Sequence, residues 1–260
     1  MHNLKKILIL SLLFCLALAA NASGNASSRS FANETLHYKV MYKWGLINKQ
    51  AGTATLTLKG ATDRYKLLLT AASAPWADHI YRVRDTLSGE ISRVDLRPHV
   101  YTKRAHEKNE RKLDQVHFRY DNGLVTGHCT RVKWDKKGRK VRDEKRELQS
   151  NGTTVDMLSS FFYMRALPYD TWRSGHSHTI TIFSGKEKET LTIKYMGVTE
   201  VEVNRRKHKA YHIRFVFTGK GGKKTSDDMD AWISADARRI PIKLEGKLPV
   251  GKVHCLYDGN

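Results

Sequence analysis

The chain has 260 residues, of which 46 are Lys or Arg and 26 Asp or Glu, a formal charge of +20, with 40% apolar and 9% aromatic residues. That apolar content excludes a disordered chain. The length suffices to bury a core without covalent staples, as one large β domain or two modest ones. No nucleic-acid recognition motif accompanies the charge, which sets that partner aside.

Residues 1–22 read as a secretory signal peptide. Lys5 and Lys6 precede an apolar run from Ile7 to Ala20, Ala20-Asn21-Ala22 is a small-residue cleavage pattern, and Ser23 to Ser30 is polar. Cys15 follows the bulky Phe14, which argues against a lipoprotein box. After residue 22 no apolar stretch is long enough to span a bilayer as a helix. The expectation is an exported protein, periplasmic or outer-membrane-associated in a Gram-negative bacterium, released from its leader and touching membrane only through its surface.

From residue 36 the pattern turns to period two. Leu36, Tyr38, Val40, Tyr42 and Trp44 share one parity, His37, Lys39 and Lys43 the other, which predicts a half-buried strand. Gly45 and Asn48 allow a turn, and Ala51–Lys59 and Tyr65–Ala72 predict two more strands. Pro75 to His79 reads as a short helical turn or loop. Strands are expected near 81–93, 97–107, 111–120, 123–134 and 139–149, with hairpin turns at Asp121-Asn122-Gly123 and Asp135 to Gly138.

The pattern breaks at Thr153, where Thr153 and Asp156 resemble a capping box. Val155, Leu158 and Phe162, with Met157, Phe161 and Met164, then recur at helical spacing until Leu167-Pro168. One internal helix is expected over 154–166, covering or plugging a sheet. Strands resume at 178–184, 188–196, 198–204, 209–218, 230–234, 240–247 and 250–257. The fold class is all-β and mainly antiparallel: curved sheets or an open β-barrel with that one helix. Residues 23–260 form a single β-rich unit, and if there are two lobes the boundary falls near 150–175.

Motifs for chemistry are sparse. No catalytic constellation, metal set or cofactor is assigned. Cys129 and Cys255 are either one structural bridge or two buried thiols. His176, His178, His208 and His212 admit a metal, but no carboxylate or cysteine is arranged with them, so they read as solvated surface. Ser159 and Ser160 lie in an apolar helix, where packing explains them. Trp44, Trp76, Tyr81 and Trp172 are candidates to line a ligand cavity or to fill the core. Basic clusters recur on turns and hairpin arms; Lys136, Lys137 and Arg139, with Arg205 and Arg206, are the anion-contacting candidates, against the reading of a solvated face of mixed sign.

Several stretches resemble the exported bacterial family of domain of unknown function 3108. They are Glu34 to Gly45, Gln50-Ala51-Gly52-Thr53-Ala54, Tyr81 to Asp85, Val155 to Arg165, Trp232 to Pro241, and Val250 to Val253. The resemblance spans nearly the whole chain after the leader. It implies an envelope location and a β-rich fold, and carries over no catalytic residue.

The function these observations favour is non-enzymatic binding of an anionic amphiphile or glycan, with the basic surface meeting lipid head groups or acidic glycans. A hydrolase of envelope glycans and a scaffold for an envelope assembly are the alternatives.

Overall fold

The computed structural model describes residues 29–259 except Asn109, Thr225 and Pro249, so the leader reading lies outside the described residues. Among the described residues fifteen strands form one sheet. They are β1 (Glu34–Trp44), β2 (Ile47–Gly60), β3 (Arg64–Ser73), β4 (Val83–Ser92), β5 (Pro98–Glu107), β6 (Glu110–Asp121), β7 (Leu124–Trp134), β8 (Lys140–Asn151), β9 (Thr154–Asp156), β10 (Ser177–Phe183), β11 (Lys188–Val203), β12 (Arg206–Thr218), β13 (Met229–Ser234), β14 (Pro241–Lys247) and β15 (Lys252–Tyr257). Two short helices accompany them, α1 (Pro75–Tyr81) and α2 (Ser159–Ala166).

The strand order is β8-β7-β6-β5-β4-β3-β2-β1-β15-β14-β13-β12-β11-β10-β9. Every neighbouring pair is antiparallel except β9 with β10. The last strand returns to pair with the first, Tyr38 opposite Tyr257 and Lys43 opposite Lys252. The sheet curls until its two edges meet as a nearly closed barrel, so the expected open barrel is what the chain builds.

Side chains close the seam. Arg146 of β8 donates to the Lys186 carbonyl at 2.6 Å, Lys188 to the Gln149 carbonyl at 3.0 Å, and the Ser150 and Thr154 hydroxyls lie 2.6 Å apart. Inside it, Phe118 stacks on Phe183 at 5.8 Å. Gly127 makes room for that ring, since a Cβ there would sit 2.5 Å from Phe183.

The helix is shorter than its apolar period. Residues 154–156 are strand, paired with Thr181 to Phe183, and the helix begins at Ser159. The reason is Asp156. Its carboxylate accepts the N–H groups of Leu158 and Ser159 at 2.7 and 2.9 Å and the Ser159 hydroxyl at 2.7 Å. Asp156, rather than Thr153, therefore satisfies the free donors at the start of α2. Two further boundaries differ. Tyr81 ends α1 instead of opening a strand, and the strands expected at 188–196 and 198–204 are one strand, β11, bulged between Tyr195 and Gly197.

The core has two large clusters. One gathers residues of β1–β7 with Phe162 and Ala166; the other gathers β10–β13 with Tyr163 and Met164. Met157 and Phe161 pack against both, so α2 is the wedge between the halves. Arg165 locks it there, with its side chain 1% exposed. Its Nε donates to the Arg239 carbonyl at 2.8 Å, Nη2 to the Arg238 carbonyl at 2.9 Å, and Nη1 to the Glu34 carboxylate. The Phe31 and Phe162 rings flank its guanidinium at 4.7 and 5.2 Å.

Replacing Arg165 by Met leaves Glu34 and two carbonyls without their donor. The unfolding free energy should fall by about 3–5 kcal/mol, as expected when one partner of a buried pair is removed. A denaturant titration reads this as a lower midpoint, and an unchanged midpoint would make the arginine incidental to the fold.

Candidate binding site

Antiparallel order sends successive turns to opposite ends of the sheet. Turns β1–β2, β3–β4, β5–β6, β7–β8, β10–β11, β12–β13 and β14–β15 share one end. Apart from Arg82 and Arg139, the cations in these turns are lysines: Lys108, Lys136, Lys137, Lys186, Lys220, Lys223 and Lys224. Turns at the other end carry arginines, Arg93, Arg97, Arg205, Arg238 and Arg239. The sequence-based anion candidates are thus split. Lys136, Lys137 and Arg139 sit at the lysine end, where Arg139 pairs with Asp135 at 2.7 Å, and Arg205 and Arg206 sit at the opposite end.

The four aromatic candidates do not converge either. Trp44 is 54% exposed at the end of β1. Trp76 on α1 donates its indole N–H to the Gln50 carbonyl at 2.7 Å under the Lys49 ammonium. Tyr81 is buried, its hydroxyl 3.5 Å from the Glu107 carboxylate. Trp172 packs among Tyr169, His176 and Tyr195 at 5.3, 4.3 and 6.3 Å. The cavity described next has none of them in its wall.

That cavity is an apolar slot in the middle of the strand order. Its walls come from Tyr38, Ala54, Leu56, Leu69 and Ala71 on β1–β3, from Phe215, Met229, Pro241, Leu244, Gly246, Val253 and Cys255 on β12–β15, and from Phe161 of α2. It exists because inward positions are small where neighbours are large. Tyr38, Ala54 and Ala71 are consecutive cross-strand partners, and two alanines leave open what leucines fill one layer below at Leu56 and Leu69. The slot encloses about 780 Å³ counted to its open mouth, of which about 70 Å³ lies far enough from every wall to seat the centre of a water molecule. It is therefore narrow.

One wall residue, Tyr38, carries a hydroxyl. The Tyr38 hydroxyl is buried and has no hydrogen-bond partner. Burial pushes its ionisation well above the ordinary phenol range, so it is a neutral donor. A buried polar group without a partner costs free energy that a ligand acceptor would recover. The sequence signal for this site was the run of small residues at inward parity in Ala51 to Ala54 and at Ala71, which alternation alone does not distinguish from a strand.

The thiols of Cys129 and Cys255 are free, not bridged, and burial holds them up to about 11 and about 12. They are packing groups rather than nucleophiles. His178 is buried rather than solvated, and shares a 2.8 Å hydrogen bond with the Tyr163 hydroxyl. His212 stacks on Trp232 at 4.7 Å and meets Asp230 at 2.7 Å. Among the described residues no group of three or more His, Cys, Asp or Glu is placed to hold a metal.

Inward charges gather instead in a ladder across β4–β8. Lys103 approaches Asp85 at 4.0 Å and Glu107 at 3.7 Å, Lys112 pairs with Glu107 at 2.7 Å, Lys133 with Glu110 at 2.8 Å, and Arg131 with Asp114 at 2.7 Å. Burial, opposed first by Lys103, raises Asp85 to about 6. Ser159 and Asp156, which touch, serve the cap of α2, so the seryl oxygen has a carboxylate but no histidine.

A family model described as "Protein of unknown function (DUF3108)" matches residues 37–255. A comparison with curated proteins returns no match. The fold is similar to a crystal structure of a β-barrel-like protein of domain of unknown function DUF1849 from Brucella abortus, at 8% identity and TM-score 0.60, covering 88% of this chain and 96% of that one.

Glu189 gives the barrel interior a measurable pH signature. Burial, with the Glu187 charge adding to it, raises its carboxyl from 4.5 to about 8. The folded chain therefore holds a proton that the unfolded chain has released, and this contribution to stability is lost as pH rises from about 4.5 through about 8. In urea titrations across that window, Glu189→Gln should remove this decline. Parallel wild-type and variant profiles would refute the assignment.

Proposed function

The chain belongs to the DUF3108 family, and from that premise we propose that it is a non-enzymatic binding protein of the cell envelope that takes the chain of an anionic amphiphile into the slot. The observation that carries the reading is the apolar slot, one of whose wall residues, Tyr38, has a buried hydroxyl without a hydrogen-bond partner. Ligand pockets commonly have this character, apolar walls with few placed polar groups that fix orientation. A narrow slot suits an alkyl chain more than a fused ring. A glycan would leave its hydroxyls unpaired against Leu56, Leu69 and Leu244.

The leader pattern of residues 1–22 supports export, and the lysine-bearing turns support attraction of anionic head groups. Glu107 and Glu110 are engaged with lysines of β6 and β7 and Asp156 with the N–H groups of α2, which takes these three away from the acid and base roles of a glycan hydrolase and favours binding.

Two substitutions test the slot with a long-chain alkyl phosphate as the probe, titrated into delipidated protein by calorimetry. Ala71→Phe fills the gap beside Tyr38 and should weaken binding at least about tenfold, the loss expected when a buried apolar chain is displaced. Tyr38→Phe should weaken it by about twofold to tenfold through the lost hydrogen bond, while stabilising the ligand-free protein by removing an unpaired buried hydroxyl. Absence of saturable binding by the wild type, or equal affinity in Ala71→Phe, would sink the proposal.

A further inference from the structure

Two adjacent turns at the lysine end expose apolar side chains where an exposed hairpin is ordinarily polar. Leu46 at the β1–β2 tip is fully exposed, with Trp44 at 54% and Ile47 at 45% beside it. Leu248 and Val250 in the β14–β15 turn are partly exposed. The two turns are fastened together. The Tyr42 hydroxyl donates to the Val250 carbonyl at 3.1 Å. Gly251, at φ +83°, lies so close to β1 that a Cβ there would meet the Lys43 carbonyl oxygen at 2.4 Å and Trp44 Cβ at 3.0 Å. The outcome is one continuous apolar knob.

A lysine collar surrounds it. Lys43, Lys252 and Lys247 are direct cross-strand partners on β1, β15 and β14, all exposed. Like charges placed directly opposite destabilise a sheet. Of these three only Lys252 has an acidic partner, Glu245 at 2.7 Å, which it shares with Lys243 at 3.0 Å; among the described residues Lys43, Lys49 and Lys247 have no acidic partner within ion-pair distance. The arrangement therefore has a stability cost that folding does not explain, and a counter-charge brought from outside relieves it.

We propose that this knob and collar dock the protein onto an anionic lipid bilayer, the apolar tip entering the head-group boundary and the lysines meeting phosphate. Apolar side chains at the interface with a cationic rim are the physical requirements for peripheral binding without a spanning segment. Charge complementarity favours a lipid surface over a second copy, because a copy would bring an equally positive collar against this one. The end of the slot lies just beneath, since Gly246 and Val253 are the pair one residue inward of Lys247 and Lys252. Docking stands independently of slot occupancy, but it would set the slot next to the membrane.

The test is flotation of the full chain with vesicles of phosphatidylcholine alone and of equal parts phosphatidylcholine and phosphatidylglycerol. The wild type should bind the anionic vesicles only, less as salt rises. Leu46→Glu should reduce binding about tenfold or more, and the Lys43→Gln and Lys247→Gln changes roughly fivefold each. Val198→Glu, at a 51% exposed position on β11, should have no effect. Quenching of tryptophan fluorescence by brominated lipid should drop in Trp44→Phe. Circular dichroism confirms folding of each variant, and alkyl phosphate binding by Leu46→Glu should persist, which separates this proposal from the slot. Equal binding by Leu46→Glu and wild type, no binding to anionic vesicles, or a wild-type dimer that Leu46→Glu converts to monomer would overturn it.

Discussion

The fold depends on how a positive charge is kept inside it. Arg165 lies on α2 between two aromatic rings, and its guanidinium reaches the Glu34 carboxylate and two consecutive carbonyls, those of Arg238 and Arg239. Three parts of the chain distant in sequence thus share one planar group: the start of β1, the helix, and the β13–β14 turn. Arginine suits this place because its fork donates in several fixed directions and stays charged when buried. Arg239 continues the arrangement from the turn. Its guanidinium lies 4.3 Å over Tyr211 and pairs with Asp170 at 2.5 Å, which ties the segment after α2 to β12.

With α2 fixed, the interior divides. Phe161 and Met157 fill space between the two core clusters, and the slot is what remains on the β1–β3 and β12–β15 side, where Ala54, Ala71 and Gly246 are too small to close it. The β4–β8 side is filled differently, by paired lysines and carboxylates above an apolar floor that includes Ile91, Tyr101 and Val116. One sheet thereby carries an apolar receptive region and a charged one whose lysines and carboxylates mostly pair with each other, the buried Asp85 Oδ2 and Tyr101 hydroxyl being left without hydrogen-bond partners. The difference lies in the size and polarity of inward residues alone.

Much of this was legible in the sequence, and the failures have physical causes. Strict alternation from Leu36 to Trp44 and the turn pairs such as Asn122-Gly123 located strands because burial of one face imposes period two. The helix start was misplaced because Val155 is buried in strand β9 and in a helix would fall on the same apolar stripe, so periodicity cannot separate the two. Arg165 gave no signal, since a lone basic residue in an apolar helix reads as an exposed one. The aromatic candidates were chosen for size, whereas the slot was made by the absence of size. The basic clusters looked alike in sequence, but the parallel pairing of β9 with β10 shifts the alternation of turns by one and sends residues 136–139 and 205–206 to opposite ends. Strand count alone would have put both at one end, so the separation rests on that single parallel crossover.

The seam completes the logic. Fourteen strand junctions are joined by backbone ladders, while β8 meets β9 through the Ser150 side chain and the β10–β11 turn through Arg146. An edge strand is a template for aggregation unless it is shielded. Strand β8, Lys140–Asn151, is shielded by composition: Lys140, Arg142, Asp143, Glu144, Lys145, Arg146 and Glu147 make it nearly continuous charge. Strand β9 is only three residues long and wholly buried. The slot at β1 and β15 is as far from this seam in strand order as the sheet allows. Its walls therefore rest on backbone ladders on both sides, and the part of the barrel joined only by side chains is kept away from the cleft.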